Sequence, residues 1–125
     1  MTKNLLRIFV LTAFIVAAVQ SSAFAANTEP LEVINDTGQT FRALYIVPSG
    51  QQDADWGDDI VGGGFMTQAE SRIIYYDPAY RYYHIKLILE NDEEYFLPNV
   101  DLFDAWRINI WCDNMEFKVA KNSRG

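Results

Sequence analysis

Four aspartates, Asp53, Asp55, Asp58 and Asp59, surround Trp56 in the stretch PSGQQDADWGDDIVGGG, Pro48 to Gly64, which ends in three consecutive glycines. Carboxylates at this density suit a hard cation, since Ca²⁺ takes roughly six to eight oxygen ligands and loop carbonyls could complete the set. The spacing is not that of an EF-hand. Counted from Asp53, Gly57 falls at the fifth position and Gly64 stands where a bidentate glutamate is required. A calcium site here is expected to be irregular, weak and reversible, with Asp53, Asp55, Asp58 and Asp59 as its ligands. The charges do not demand an ion, because carboxylates about 7 Å apart repel by only about 0.6 kcal/mol per pair in water. The loop therefore stands open to three readings: a cation site, a protein-recognition loop, and a solvated turn. Its tryptophan either folds back onto the domain or stands out as a binding anchor.

A second concentration of chemistry is IIYYDPAYRYYH, where Tyr75, Tyr76, Tyr80, Tyr82 and Tyr83 crowd beside Arg72 and Arg81. Tyrosine presents a large rigid ring with a polar tip, which suits a glycan ring or a protein partner when it faces outward and core packing when it does not. Trp56, Tyr75, Tyr76, Tyr80 and Tyr82 are the expected partner-binding residues, against the alternative that the tyrosines are sheet-face packing. Catalysis has little support. His84 is the sole histidine, between Tyr83 and Ile85, and is expected on a strand surface; there is no G-x-S-x-G, no cysteine partner for it and no second histidine for zinc. Paired carboxylates of the glycosidase kind are defined by separation in space, so an envelope-glycan hydrolase remains the alternative reading.

The elements that must position these residues are short, β-branched and aromatic. Strands are expected at Leu31 to Ile34, Thr40 to Val47, Arg72 to Tyr76, Arg81 to Glu90, Tyr95 to Leu97, Ala105 to Cys112 and Glu116 to Val119. Asn35-Asp36-Thr37-Gly38, Asp77-Pro78, Asn91 to Glu94 and Asp113-Asn114 read as turns between them. In Arg81 to Glu90, Tyr83, Ile85, Leu87 and Leu89 share one face, and Tyr82, His84, Lys86 and Glu90 share the other. Cys112, the only cysteine, is expected beside Trp106, Ile108 and Ile110 on the core face as a small buried hydrophobe. No stretch beyond residue 25 keeps a helical period. The fold class expected is all-β, an antiparallel β-sandwich of about seven strands in one domain.

Residues 1–25 combine Lys3 and Arg7, an apolar run from Ile8 to Val19 and Ala23-Phe24-Ala25, the pattern of a cleavable signal peptide too short to span a bilayer. The domain is then 26–125, periplasmic or secreted, without a membrane anchor. All 17 acidic residues follow Ala25, so loss of the cations Lys3 and Arg7 moves the formal charge two units beyond −7, to −9. Such a surface repels phosphate backbones and argues against nucleic acid as a partner. An envelope protein or a glycan is the expected partner class, and the chain is expected to be monomeric or weakly associating.

VINDTGQTFRALYIVPSG, DWGDDIVGGG and HIKLILENDEEYFLPNVDL together resemble a family of small secreted bacterial β-sandwich domains with N-x-T-G, L-Y-x-x-P-S-G, W-G-x-D and V-D-L motifs. The resemblance runs from Val33 to Phe103 and implies a secreted sandwich in which Trp-Gly serves as a structural plug. It also implies a disulfide, yet Phe103 stands where one cysteine is expected and the Tyr80 to Tyr82 region offers no other. Aromatic packing is expected to replace the bridge. The function expected is an exported, non-enzymatic binding or structural module, engaging a protein partner or weakly held Ca²⁺ through the acidic Trp-Gly loop.

Overall fold

A computed structural model of the chain describes residues 28–51 and 56–125. Among these residues seven strands form: β1 (Glu29–Asp36), β2 (Phe41–Pro48), β3 (Ser71–Tyr76), β4 (Tyr82–Leu89), β5 (Glu94–Asp101), β6 (Ala105–Asp113) and β7 (Glu116–Ser123), with one 3-10 turn at Ser49–Gln51. They make a sandwich of a four-stranded sheet, β3-β1-β6-β7, and a three-stranded sheet, β2-β4-β5. β1 and β6 pair in parallel, while the other pairings are antiparallel. No hairpin joins β1 to β6, so nothing local sets their relative direction.

The alternation in each strand decides which side faces the core. Leu31 and Val33 of β1, Ile85 and Leu87 of β4, and Ile108 and Ile110 of β6 are fully buried between the sheets, with Phe41, Leu44, Met66 and Leu102. Tyr83 and Leu89 extend the buried face of β4. The phase slips at three bulges. One lies between Ala105 and Arg107, so Ala105 and Ile108 are both buried while Trp106 is turned out to 39% exposure. That bulge moves Trp106 off the core face expected from simple alternation. Another lies opposite Tyr83 to Ile85, where Asn99 of β5 takes a φ of 52° next to Pro98.

Cys112 is partly buried against the core, and its Sγ lies 3.1 Å from the Thr37 carbonyl. Asn35 is buried without a water-accessible atom to spare and sits where β1 ends. Its amide nitrogen donates to the Gln39 and Met66 carbonyls at 2.8 and 2.9 Å, and its Oδ1 accepts the Thr37 N–H and hydroxyl at 3.1 and 2.7 Å. Both donors and both acceptor positions of the side chain are therefore used. Gly38, at φ 75°, supplies the left-handed residue that the turn requires.

On the opposite end of β3, the Tyr76 hydroxyl donates to the Ala105 carbonyl at 2.9 Å and the Tyr83 hydroxyl to the Asp77 carbonyl at 2.6 Å, the two rings meeting edge to face at 6.0 Å. Tyr76 is 4% exposed, which removes it from the expected partner-binding set. Burial pushes the Tyr83 phenol up to about 12.

Two expectations follow from this architecture. Asn35→Ala takes one donor each from the Gln39 and Met66 carbonyls, which keep the Thr37 hydroxyl and the Phe41 N–H, and leaves the Thr37 N–H without its acceptor, so thermal denaturation should show a loss of about 1 to 3 kcal/mol and a melting point lower by at least about 5 °C; Thr37→Ser, which keeps the hydroxyl, should cost less than about 1 kcal/mol. The folded-state value of Tyr83 lies above the ordinary 10, so the stability lent by its neutral form is complete below pH 10 and is lost as the pH climbs towards 12. Urea midpoints measured across that interval should fall, and fall less steeply in Tyr83→Phe.

Candidate functional site

The outer face of the three-stranded sheet carries a row that crosses all its strands. Tyr45 of β2 is paired with Lys86 of β4, and Lys86 with Phe96 of β5. Trp56 lies over this row, its ring centroid 6.5 Å from Tyr45 and 5.9 Å from Phe96, both edge to face. The Lys86 ammonium sits 4.6 Å from the Trp56 centroid and 5.0 Å from that of Tyr45, with a Glu94 carboxylate oxygen 3.9 Å away. A cation so placed between two ring faces contributes about 0.5 to 2 kcal/mol per ring, more as water is excluded. Trp56 is partly buried and Phe96 is half exposed. The tryptophan has folded back, and with Phe96 it still presents ring surface to solvent.

His84 belongs to the same face, one row along. It is 6% exposed, not the surface residue that its strand position suggests. The ring of Phe96 covers it at 5.0 Å, and the Asn99 N–H, turned inward by the β5 bulge, donates to its Nδ1 at 3.1 Å. A histidine held by a main-chain donor under a phenyl ring is a packing element.

The loop that delivers Trp56 is fastened by Asp59. Its Oδ1 accepts the Leu44 N–H at 3.0 Å and the Val61 N–H at 2.9 Å, while the Ile60 N–H donates to the Leu44 carbonyl at 2.8 Å. Further on, Phe41 and Met66 exchange two main-chain hydrogen bonds at 3.0 Å. Residues 59–66 thus cover the edge of β2, which explains why both faces of that strand are apolar: Ala43 and Val47, on its outer side, are 2% and 7% exposed. Of the four aspartates considered as calcium ligands, Asp53 and Asp55 lie outside the described residues, Asp58 is exposed, and Asp59 has one oxygen committed to two main-chain donors. Among the described residues no group of three or more histidine, cysteine, aspartate or glutamate side chains is placed to hold a metal ion.

The tyrosines do not form one ledge. Tyr75, 67% exposed, stands on the outer face of the four-stranded sheet with Ile73, whereas Tyr80 and Tyr82, 43% and 47% exposed, lie in the turn after β3 and at the start of β4. Beside Tyr82, the Arg81 guanidinium stands 5.5 Å from the Tyr82 ring and 5.2 Å from that of Phe103, and it donates to both oxygens of Asp101 at 3.3 and 3.0 Å. The guanidinium, then the Phe103 N–H, hold the Asp101 carboxyl below its ordinary value. Phe103 is 60% exposed. Between residues 80–82 and 103 the rings of Tyr82 and Phe103 are joined through the Arg81 guanidinium, which lies against both and pairs with Asp101.

Four of the clefts on the surface of the described residues are each lined by a single carboxylate: Glu90, Asp101, Glu32 or Asp77. Glu32 is paired with Arg107 at 2.6 Å and Asp101 with Arg81.

No family model and no curated protein matches the chain. Among solved structures, it is similar to the NMR structure of a protein from Eubacterium rectale, with a TM-score of 0.56 and 10% sequence identity over 80% of this chain and 93% of that one. At that identity the likeness shows the fold, not the activity.

The division of labour within the loop is directly measurable. Asp59→Ala strands the Leu44 and Val61 N–H groups and should lower stability in urea by about 2 kcal/mol, while Asp58→Ala at its exposed position should stay within about 0.5 kcal/mol of the parent.

Proposed function

We propose that the chain is an exported, non-enzymatic binding module whose contact surface is the outer face of the three-stranded sheet, centred on Trp56 and Phe96. The observation that carries the reading is the row Tyr45, Lys86 and Phe96 with Trp56 laid across it. A ring platform held rigid by a strand ladder, with one cation at its centre and half-exposed aromatic surface above, offers the kind of desolvatable anchor on which protein interfaces concentrate their energy. The partner class is an envelope protein. Sheet-borne sites of this kind lose little entropy on binding, because Asp59 and the β2 edge already order the loop that brings Trp56 in.

Export rests on the N-terminal pattern of Lys3, Arg7, the apolar run and Ala23-Phe24-Ala25, and on the motif resemblance to secreted sandwiches. Among the described residues no helix is long and apolar enough to cross a membrane. A glycan hydrolase needs two carboxylates facing one another across a cleft at about 5 Å or 6.5 to 9.5 Å. In these four clefts the carboxylates stand singly, two of them engaged with arginine, which lends that reading no support there.

Binding to immobilised protein from envelope extract, quantified for the recovered partner, tests the assignment. Phe96→Ala removes half-exposed ring surface and should weaken recovery about 30-fold, the scale of a 2 kcal/mol anchor, while the ring's cover over His84 and its contact with Trp56 cost the fold a few degrees of melting point, so recovery is compared at a temperature where both proteins are folded. Trp56→Ala should weaken it at least as much. Recovery unaltered by both substitutions would reject this face as the contact.

A further inference from the structure

Each sheet of a sandwich has two edges, and an edge strand exposes main-chain donors and acceptors to any strand that can reach them. Three of the four edges here carry recognisable obstructions. Residues 59–66 cover β2. β5 is broken by Pro98 and by the Asn99 bulge. β7, EFKVAKNS, places Lys118 and Lys121 along a polar strand. β3, SRIIYY, has no proline and no bulge, and its exposed face carries Ile73 and Tyr75 at 56% and 67% exposure.

The direction of its free groups follows from β1. The Asn35 N–H donates to the Glu70 carbonyl and the Asn35 carbonyl accepts the Ala69 N–H, so Asn35 points its main chain toward the β3 side. By alternation Val33, Leu31 and Glu29 do the same, facing Arg72, Ile74 and Tyr76. Pro30, which has no N–H, sits opposite Tyr75 and turns its carbonyl to Arg124 on the other side. Ile73 and Tyr75 therefore aim their N–H and C=O groups away from β1, and no hydrogen bond within the described residues engages those groups. The Ser71 carbonyl is taken by the Arg72 side chain at 3.0 Å.

We infer that β3 is a self-association edge, pairing antiparallel with β3 of a second copy about a two-fold axis at Ile74. In that register Ile73 of one chain faces Tyr75 of the other, twice, giving roughly four main-chain hydrogen bonds and two aromatic-aliphatic cross-strand pairs on the outer face. Arg72, ion-paired with Glu70 of its own chain at 3.4 Å, faces Tyr76 of the partner in this register and Ser71 faces Asp77, so the two-fold sets no like charges opposite one another. The inner side also has room: a hollow of about 220 Å³ lies between the sheets at this edge, lined by Ile46, Pro48, Ile74, Tyr76 and Tyr83 among others, beside the Ile74 of the facing copy. A parallel or heterologous arrangement would lose the reciprocal Ile73 and Tyr75 contacts. The second copy is thus the occupant that the strand's own pattern fits, and the pairing sits on the sheet opposite to the Trp56 face.

Sedimentation equilibrium of the purified protein over a wide concentration range tests this. The weight-average mass should climb towards twice that of one chain, whereas Ile73→Lys, a change at an exposed position, should hold at one-chain mass with an unaltered melting point at high dilution. In a Cys112→Ser background, Ile74→Cys should form an inter-chain disulfide under mild oxidation, because the two-fold places Ile74 opposite itself in a non-hydrogen-bonded pair with Cα atoms about 4.5 Å apart; Ile46→Cys should not. One-chain mass at every concentration, association of Ile73→Lys equal to that of the parent, or a different protein's strand found at this edge while the parent alone stays at one-chain mass would each overturn the inference.

Discussion

The Asn35 side chain closes the polar groups at the corner where the chain leaves one sheet for the other. Three segments converge there: the end of β1, the turn through Thr37 to Gln39, and residues 66–70 on their way into β3. Carbonyls and N–H groups in such a crossing cannot all reach a strand partner, and a buried unpaired one costs about 1 to 3 kcal/mol. One buried amide, with two donors and two acceptor positions, meets much of that demand. With that corner fixed, Phe41 and Met66 pair, the edge of β2 is covered, and the acidic loop has an anchored exit.

The acidic loop from Trp56 onward is held by the same construction. Asp59 ties its C-terminal half to Leu44, and Trp56 is then within reach of the Tyr45, Lys86 and Phe96 row. Aspartates in a loop of this kind invite a cation reading, but one of them works as a main-chain acceptor that substitutes for a missing strand partner. Beneath Trp56 the Lys86 ammonium is shared between the rings of Trp56 and Tyr45 and the carboxylate of Glu94. The proposed contact surface and fold stability thus draw on the same few residues, with Phe96, half exposed, the member that offers most ring to solvent.

Most of the sandwich is legible in the order of residues, because its strands alternate cleanly and its turns use asparagine, aspartate, glycine and proline where φ or hydrogen bonding requires them. The buried face of β4, Tyr83, Ile85, Leu87 and Leu89, follows from alternation alone. What alternation cannot register is a bulge: Trp106 leaves the core and His84 gains the Asn99 N–H because single extra residues shift the phase. The parallel pairing of β1 with β6 is equally silent, since no turn encodes it. At the candidate site Trp56 draws notice through its unusual surroundings, but Tyr45 and Phe96 look like ordinary strand aromatics. Lys86 could have been placed beside Phe96 by counting outward from the Asn91 to Glu94 turn, a signal that depends on knowing the register. The setting of Arg81 could not be foreseen from residue types, because a cation between two rings and an acid is recognisable only once all four are adjacent.

The central claim is that Trp56 lies folded on the sheet with Lys86 beneath its ring. Proton chemical shifts of the Lys86 side chain report this directly, because protons above an aromatic face within a few ångströms are moved upfield by its ring current. The account predicts strongly upfield Lys86 γ, δ and ε protons in the parent protein that return most of the way to free-lysine values in Trp56→Ala. Free-lysine shifts in the parent, or upfield shifts untouched by the loss of Trp56, would contradict it.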